Sequence, residues 1–212
     1  MDIMTPGGIN DALTRVPGSY QRKRWSLYDR QTYTSGTTQS QTYFQEKVGA
    51  TATKTRQKTN MAANGSLPAN NFFAVYGIQV SALPALNPSI APGAQAAVAF
   101  VNDVWLLGKN GVLEFTVDSK QMLIDAPLMK FPAQHRLDGF AALAEGTTAA
   151  ADKQSRLGYA SFAGPLYKVD PFVLEPMQAF AVNLTWPDGA VTLAGGNPEL
   201  QIDLVGVLFS PN

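Results

Sequence analysis

Cysteine is absent from this 212-residue chain, and histidine occurs once, at His135. Without thiols there can be no disulfide framework and no thiolate metal site. With one imidazole, zinc catalysis would need three carboxylate or water ligands, which is rare. A Ser–His–Asp triad would have to use His135, and no Gly-x-Ser-x-Gly elbow precedes it. Charge is also scarce: 15% of residues are charged, against about 25% in an average protein. Weak self-repulsion suits a protein whose surfaces meet other copies. Long apolar runs are missing too. The longest, Ala96 to Val101, is too short to span a bilayer. Met1 to Gly8 has neither a basic start nor an apolar stretch, so no secretory signal is expected there.

Other catalytic and binding patterns are equally thin. Glu114, Asp118, Asp125, Asp138, Glu145 and Glu175 could supply the carboxylate pair of a glycosidase, but nothing selects two of them. Gly108-Lys109 lacks the spaced upstream Gly and the following Ser or Thr of a phosphate loop. The sequence therefore nominates no catalytic residue, no cofactor and no metal ligand, and the expectation is a protein that is not an enzyme.

Charge is unevenly spread. Residues 1–70 hold nine Lys and Arg against four Asp and Glu, a net +5; residues 71–212 hold seven against twelve, a net −5. A basic terminal segment can meet acidic neighbours, nucleic acid or anionic lipid. Its densest part is Arg22-Lys23-Arg24, followed by Trp25 and Tyr28. Aromatics beside cations can stack on bases or sugars, or simply pack. These five residues are the candidate contact site.

Residues 1–40 read as an extended N-terminal arm. Pro6-Gly7-Gly8 and Pro17-Gly18 punctuate it, and Gln31 to Gln41 is nearly all polar. Such a stretch buries too little apolar surface to offset its own ordering. Yet Tyr20, Trp25, Tyr28 and Tyr33 would be costly to leave in water. An arm lying across a neighbouring copy reconciles the two.

From residue 41 onward the period becomes two. Strands are expected at Thr42–Val48, Phe72–Val80, Leu113–Val117, Met122–Ile124, Leu157–Phe162, Tyr167–Val173, Ala179–Trp186 and Leu200–Phe209. Lys54, Arg56 and Lys58 would share one face if their segment were extended. Apolar residues at three and four spacing predict a helix over Ala91 to Trp105. Asn110-Gly111 and Asp188-Gly189 read as hairpin turns. Residues 125–157 read as loop-rich, with part of Gly139 to Ala151 helical. About eight strands with turns between them make an all-β, jelly-roll-like antiparallel β-sandwich over residues 41–212, with one or two short helices.

Several segments carry a resemblance. They are Asn60-Met61, Gly65-Ser66-Leu67-Pro68, the strand Phe72–Val80, and Leu174–Phe180 leading into Val182–Pro187. The closing run Leu200–Phe209, with Gly206 inside it, completes the set. Over about two-thirds of its length the chain resembles the single jelly-roll coat proteins of tailless icosahedral phages and viruses. The resemblance implies a structural capsid subunit that self-assembles into a shell and resides in the virion. Its implied partners are further copies, other virion proteins and, through the basic arm, packaged nucleic acid or an inner membrane. The competing class is a lectin-like carbohydrate-binding β-sandwich, with Tyr159, Tyr167 and Trp186 as its aromatics.

Overall fold

A computed structural model describes residues 20–83, 96–118, 121–131, 136–143, 153–160 and 166–211. For 96–101, 121–123, 136–143 and 153–160 the description is of backbone alone. Ten strands and one α-helix occur among them: β1 Tyr20–Thr32, β2 Ser40–Tyr43, β3 Phe72–Leu83, α1 Ala96–Asn110, β4 Val112–Val117, β5 Gln121–Pro127, β6 Arg136–Leu143, β7 Lys153–Ala160, β8 Tyr167–Leu174, β9 Phe180–Thr185 and β10 Glu199–Pro211. A short 3-10 turn, Leu128–Lys130, follows β5.

The strands form two four-stranded antiparallel sheets, ordered β1-β10-β3-β8 and β2-β9-β4-β5, and a separate hairpin of β6 with β7. Leaving that hairpin aside, the first strand pairs with the last, the second with the seventh, the third with the sixth and the fourth with the fifth. The chain is thus one long antiparallel ribbon rolled up on itself, which is the jelly-roll arrangement. The all-β sandwich expected from the period-two pattern is the fold. No described helix is long and apolar enough to cross a membrane.

Alternation accounts for how the two sheets meet. Phe180, Val182 and Leu184 of β9 and Leu113, Phe115 and Val117 of β4 are buried, while their neighbours in sequence are half-exposed. They face Ile78 of β3, Leu174 of β8 and Leu200, Ile202 and Leu204 of β10 within one continuous core. Rings bridge the layers: Phe115 lies 5.3 Å from Phe172, and Tyr33 lies edge-on to Trp186 at 4.6 Å. At Gly206 the register of β10 against β3 shifts. A Cβ there would sit 2.2 Å from the Ala74 carbonyl oxygen, so only glycine fits this close approach of two strands.

Four expectations need correction. First, residues 20–40 are not a free arm. Tyr20–Thr32 is a full strand paired with β10 from Tyr20 opposite Pro211 to Thr32 opposite Glu199. Residues 1–19 lie outside the described residues. The strand is hard to read because only Leu27 and Asp29 are buried along it, and one of them is charged. Second, Asn110-Gly111 joins α1 to β4 and is no hairpin. A Cβ on Gly111 would meet the Leu107 carbonyl oxygen at 2.8 Å and Leu128 at 2.9 Å, so glycine serves a tight helix-to-strand junction. Third, Asp188-Gly189 does turn the chain, with Gly189 at φ +110°. No strand answers it; residues 190–193 bond to Tyr33 and Ser35 instead. Fourth, residues 136–143 and 153–157 are strand, in β6 and β7, where loop was expected; residues 144–152, which hold most of the stretch expected to be partly helical, lie outside the described residues.

The helix runs past Trp105 to Asn110, and residues 91–95 of the expected span lie outside the described residues. Leu107 and Asp103 point inward, while Trp105 is 57% exposed. Asp103 accepts backbone N–H bonds from Ala194 (3.0 Å) and Gly195 (2.6 Å). The Trp186 indole donates to the Leu107 carbonyl at 3.2 Å, filling one of the acceptors that a helix C-terminus leaves open.

Deleting residues 1–32 should therefore unfold the domain, because it strips a strand from β10 and exposes the core beside Leu27. Circular dichroism and a thermal melt check this. A truncated chain that keeps a cooperative β-type transition would mean that β1 is dispensable.

Candidate interaction surface on the first strand

Of the five candidate residues, Arg22, Lys23, Arg24 and Trp25 are exposed on β1, and Tyr28 is half-buried. Strand alternation puts Arg22, Arg24 and Tyr28 on the outer face of the sheet, and Lys23 and Trp25 on the face that carries Leu27. The Lys23 ammonium sits 5.1 Å from the Trp25 ring centre, a cation–π distance. Arg24, Trp25 and Tyr28 come together at one open groove of about 850 Å³. Arg22 and Lys23 do not line it.

The other wall is the long segment between β2 and β3, and a buried ion pair holds it in place. Asp29 is fully buried, and Lys54 is 7% exposed at its side chain; their charged atoms are 2.7 Å apart. The second Asp29 oxygen accepts the Phe44 N–H at 2.7 Å. Phe44 sits at φ +68°, a left-handed conformation that a bulky residue rarely adopts. The turn after β2 is thus pinned to the charge on β1. Burial first, and then the negative Asp29, push the neighbouring Tyr43 hydroxyl well above the ordinary tyrosine pKa.

Beyond the ion pair, residues 58–60 run along the free edge of β1. The Arg30 N–H donates to the Lys58 carbonyl at 2.7 Å. The Asn60 side chain accepts from the Tyr28 N–H (2.9 Å) and donates to the Ser26 carbonyl (2.7 Å), imitating a neighbouring strand. Lys58 reaches Glu199 at 2.9 Å, and Arg30 reaches it at 3.4 Å. Burial raises the Glu199 pKa, but the hydrogen bonds and charges of Lys58 and Arg30 outweigh this and hold it below the ordinary carboxylate value. The expected single cationic face of Lys54, Arg56 and Lys58 does not exist, because the segment is a series of turns. Lys54 goes to Asp29, Lys58 goes to Glu199, and Arg56 lines the groove.

Sequence reasoning also missed Asn60, Met61, Tyr76 and Val205, which complete the groove with Val48 and Ala62. Tyr76 is the extra residue where β3 slips register against its neighbours, and such bulges re-aim a side chain. No signal in the sequence pairs Arg56 with Arg24; only the Asp29–Lys54 anchor does. The lining contains two guanidinium groups and no carboxylate. Asp203 lies beneath it, buried, accepting from Ser26 and Gln201.

His135 lies outside the described residues. Among the described residues no cluster of three His, Asp or Glu could hold a metal ion. Trp186, one of the three aromatics considered for sugar stacking, is 1% exposed. Tyr167 is half-buried against Phe131. No protein-family model matches this chain, and no curated protein is similar to it in sequence.

Removing one partner of the ion pair should be costly. Asp29→Ala leaves Lys54 buried without a counter-charge and frees the Phe44 N–H, a loss of about 3–5 kcal/mol. Urea unfolding measures it, and a loss under about 1 kcal/mol would mean that water reaches the pair. The Glu199 contacts predict a smaller, pH-dependent effect. Its folded pKa is lowered, so its contribution is present above the ordinary carboxylate pKa and disappears as pH falls through the folded value. Water screens this pair, so less than about 1 kcal/mol is involved. The stability gap between wild type and Glu199→Gln should close as pH drops from about 5 towards about 3.

Proposed function

We propose that this protein is a structural coat subunit that assembles with copies of itself into a closed shell. The observation that carries the reading is an apolar patch formed by α1 and the turn after β5. Val104 and Trp105 of α1 are 36% and 57% exposed, and Met129 of the adjoining 3-10 turn is 51% exposed. Met129 packs beside Gly108, so helix and turn present one continuous face. Exposed apolar clusters of this kind mark surfaces that meet another protein. Trp and Met are also the residue types enriched at the centre of such contacts. The rolled-ribbon sandwich and the low charge content support the same reading. On this reading the chain is non-enzymatic, needs no cofactor and resides in the virion.

The carbohydrate-binding alternative loses one of its three aromatics, because Trp186 is inside the core and its N–H is committed to Leu107; the side chain of Tyr159 lies outside the described residues.

Light scattering and electron microscopy of the purified protein test the proposal. Wild type should form closed particles. Trp105→Glu, at an exposed helix position, should keep the fold and melting temperature but reduce the assembled fraction at least ten-fold. A wild-type protein that stays monomeric at high concentration would contradict the coat reading. A variant that assembles normally would remove the helix patch from the interface.

A further inference from the structure

We infer that the groove beside β1 binds single-stranded nucleic acid, with Arg24 and Arg56 on phosphates and Tyr28 and Tyr76 against bases. The inference goes beyond the coat reading and does not depend on it. It rests on what the groove offers and on what it has already used up.

The polar groups that line it are unequal. The Asn60 amide is spent on the Tyr28 N–H and the Ser26 carbonyl. The Tyr28 hydroxyl is spent on the Arg56 carbonyl, which fixes its ring in the wall. Among the described residues no carboxylate lies within ion-pair distance of Arg24 or Arg56. What remains is two guanidinium forks with ten N–H donors between them and almost no free acceptor. A sugar needs donors and acceptors together, so this lining suits it poorly. A phosphodiester offers acceptors alone and carries the opposite charge, and planar guanidinium matches it geometrically.

The aromatic side chains narrow the choice further. Two tyrosines, Tyr28 and Tyr76, line one groove of about 850 Å³. Bases stack on such rings without regard to sequence, and arginine adds a cation–π component. An acidic peptide would satisfy the arginines but has no planar faces for the rings. Arg22, two residues before Arg24 on the same face of the exposed strand, extends the positive charge beyond the groove along the path that a backbone would follow. The groove is open, so a chain can pass through it rather than end in it.

The experiment is fluorescence anisotropy with a 12-nucleotide fluorescein-labelled oligo-dT, titrated with the full-length protein at several salt concentrations. The expected result is saturable binding that weakens with salt. Each phosphate contact contributes about −0.7 to the slope of log affinity against log salt for single strands. The Arg24→Gln/Arg56→Gln double variant should therefore flatten the slope by about 1.4. Tyr76→Ala should weaken binding by about five-fold or more. Lys168→Gln, an exposed cation on β8 at the far edge of the same sheet, should change little. Circular dichroism confirms that each variant is folded, and particle formation is scored separately. Absence of saturable binding overturns the inference, as does a double variant that binds like wild type. So does displacement by polyglutamate as effective as by unlabelled oligo-dT, which would assign the groove to an acidic protein partner. Lost assembly with retained oligo-dT binding would count against the coat reading alone.

Discussion

The charge on Asp29, buried beneath the sheet and neutralised by Lys54 at 2.7 Å, is the constraint on which the surface of this protein depends. Burying two charges is expensive, and their mutual attraction offsets it only when geometry and further hydrogen bonds are good. Here one Asp29 oxygen has the Lys54 ammonium in close charge contact but makes no hydrogen bond, and the other accepts the Phe44 N–H. An apolar pair of similar volume would cost less to bury, but it would not choose one path for the chain. The ion pair does choose: it ties residues 44 and 54 to β1. From there Lys58 and Asn60 are delivered to the strand edge, and Arg56, Met61 and Ala62 to the groove.

That path divides β1 into two unlike halves. The backbone groups of Tyr28 and Arg30 that point away from β10 are matched by Asn60 and Lys58. The same alternation, continued towards the N-terminus without a register shift, turns the backbone of Arg22 and Arg24 outward. Cations on an exposed edge discourage indiscriminate strand pairing. Arg22, Lys23 and Arg24 therefore guard the open half. The apolar patch around Trp105 belongs to different elements, α1 and the turn after β5. The two proposed contacts, with further copies and with a polyanion, thus fall on separate parts of the molecule.

The sequence is legible where burial alternates cleanly. Phe180, Val182 and Leu184, Leu113, Phe115 and Val117, and Leu200, Ile202 and Leu204 all announce strands with one wet face, and all are strands. It is not legible where tertiary pairing replaces local pattern. Tyr20–Thr32 lacks apolar alternation because its N-terminal half is wet on both faces and Asp29 takes a core position. Lys54, Arg56 and Lys58 suggest a single cationic face, yet each follows a different partner from a different part of the chain. Asn110-Gly111 has the composition of a hairpin turn but marks a helix end, because glycine answers any demand for close packing. At the candidate site, Arg24, Trp25 and Tyr28 could be nominated from local composition. Arg56 and Tyr76 could not, since an ion pair and a β-bulge bring them there.

Hydrogen exchange on the purified protein tests the central claim most directly: that the Asp29–Lys54 anchor leaves β1 half capped and half open. Amides of Tyr28 and Arg30 should exchange as slowly as those of β10, and those of Arg22 and Arg24 should exchange orders of magnitude faster. In Asp29→Asn, protection at Tyr28 and Arg30 should fall towards that of Arg22. Uniform protection along β1, or slow exchange at Tyr28 that survives loss of the Asp29 charge, would contradict the account.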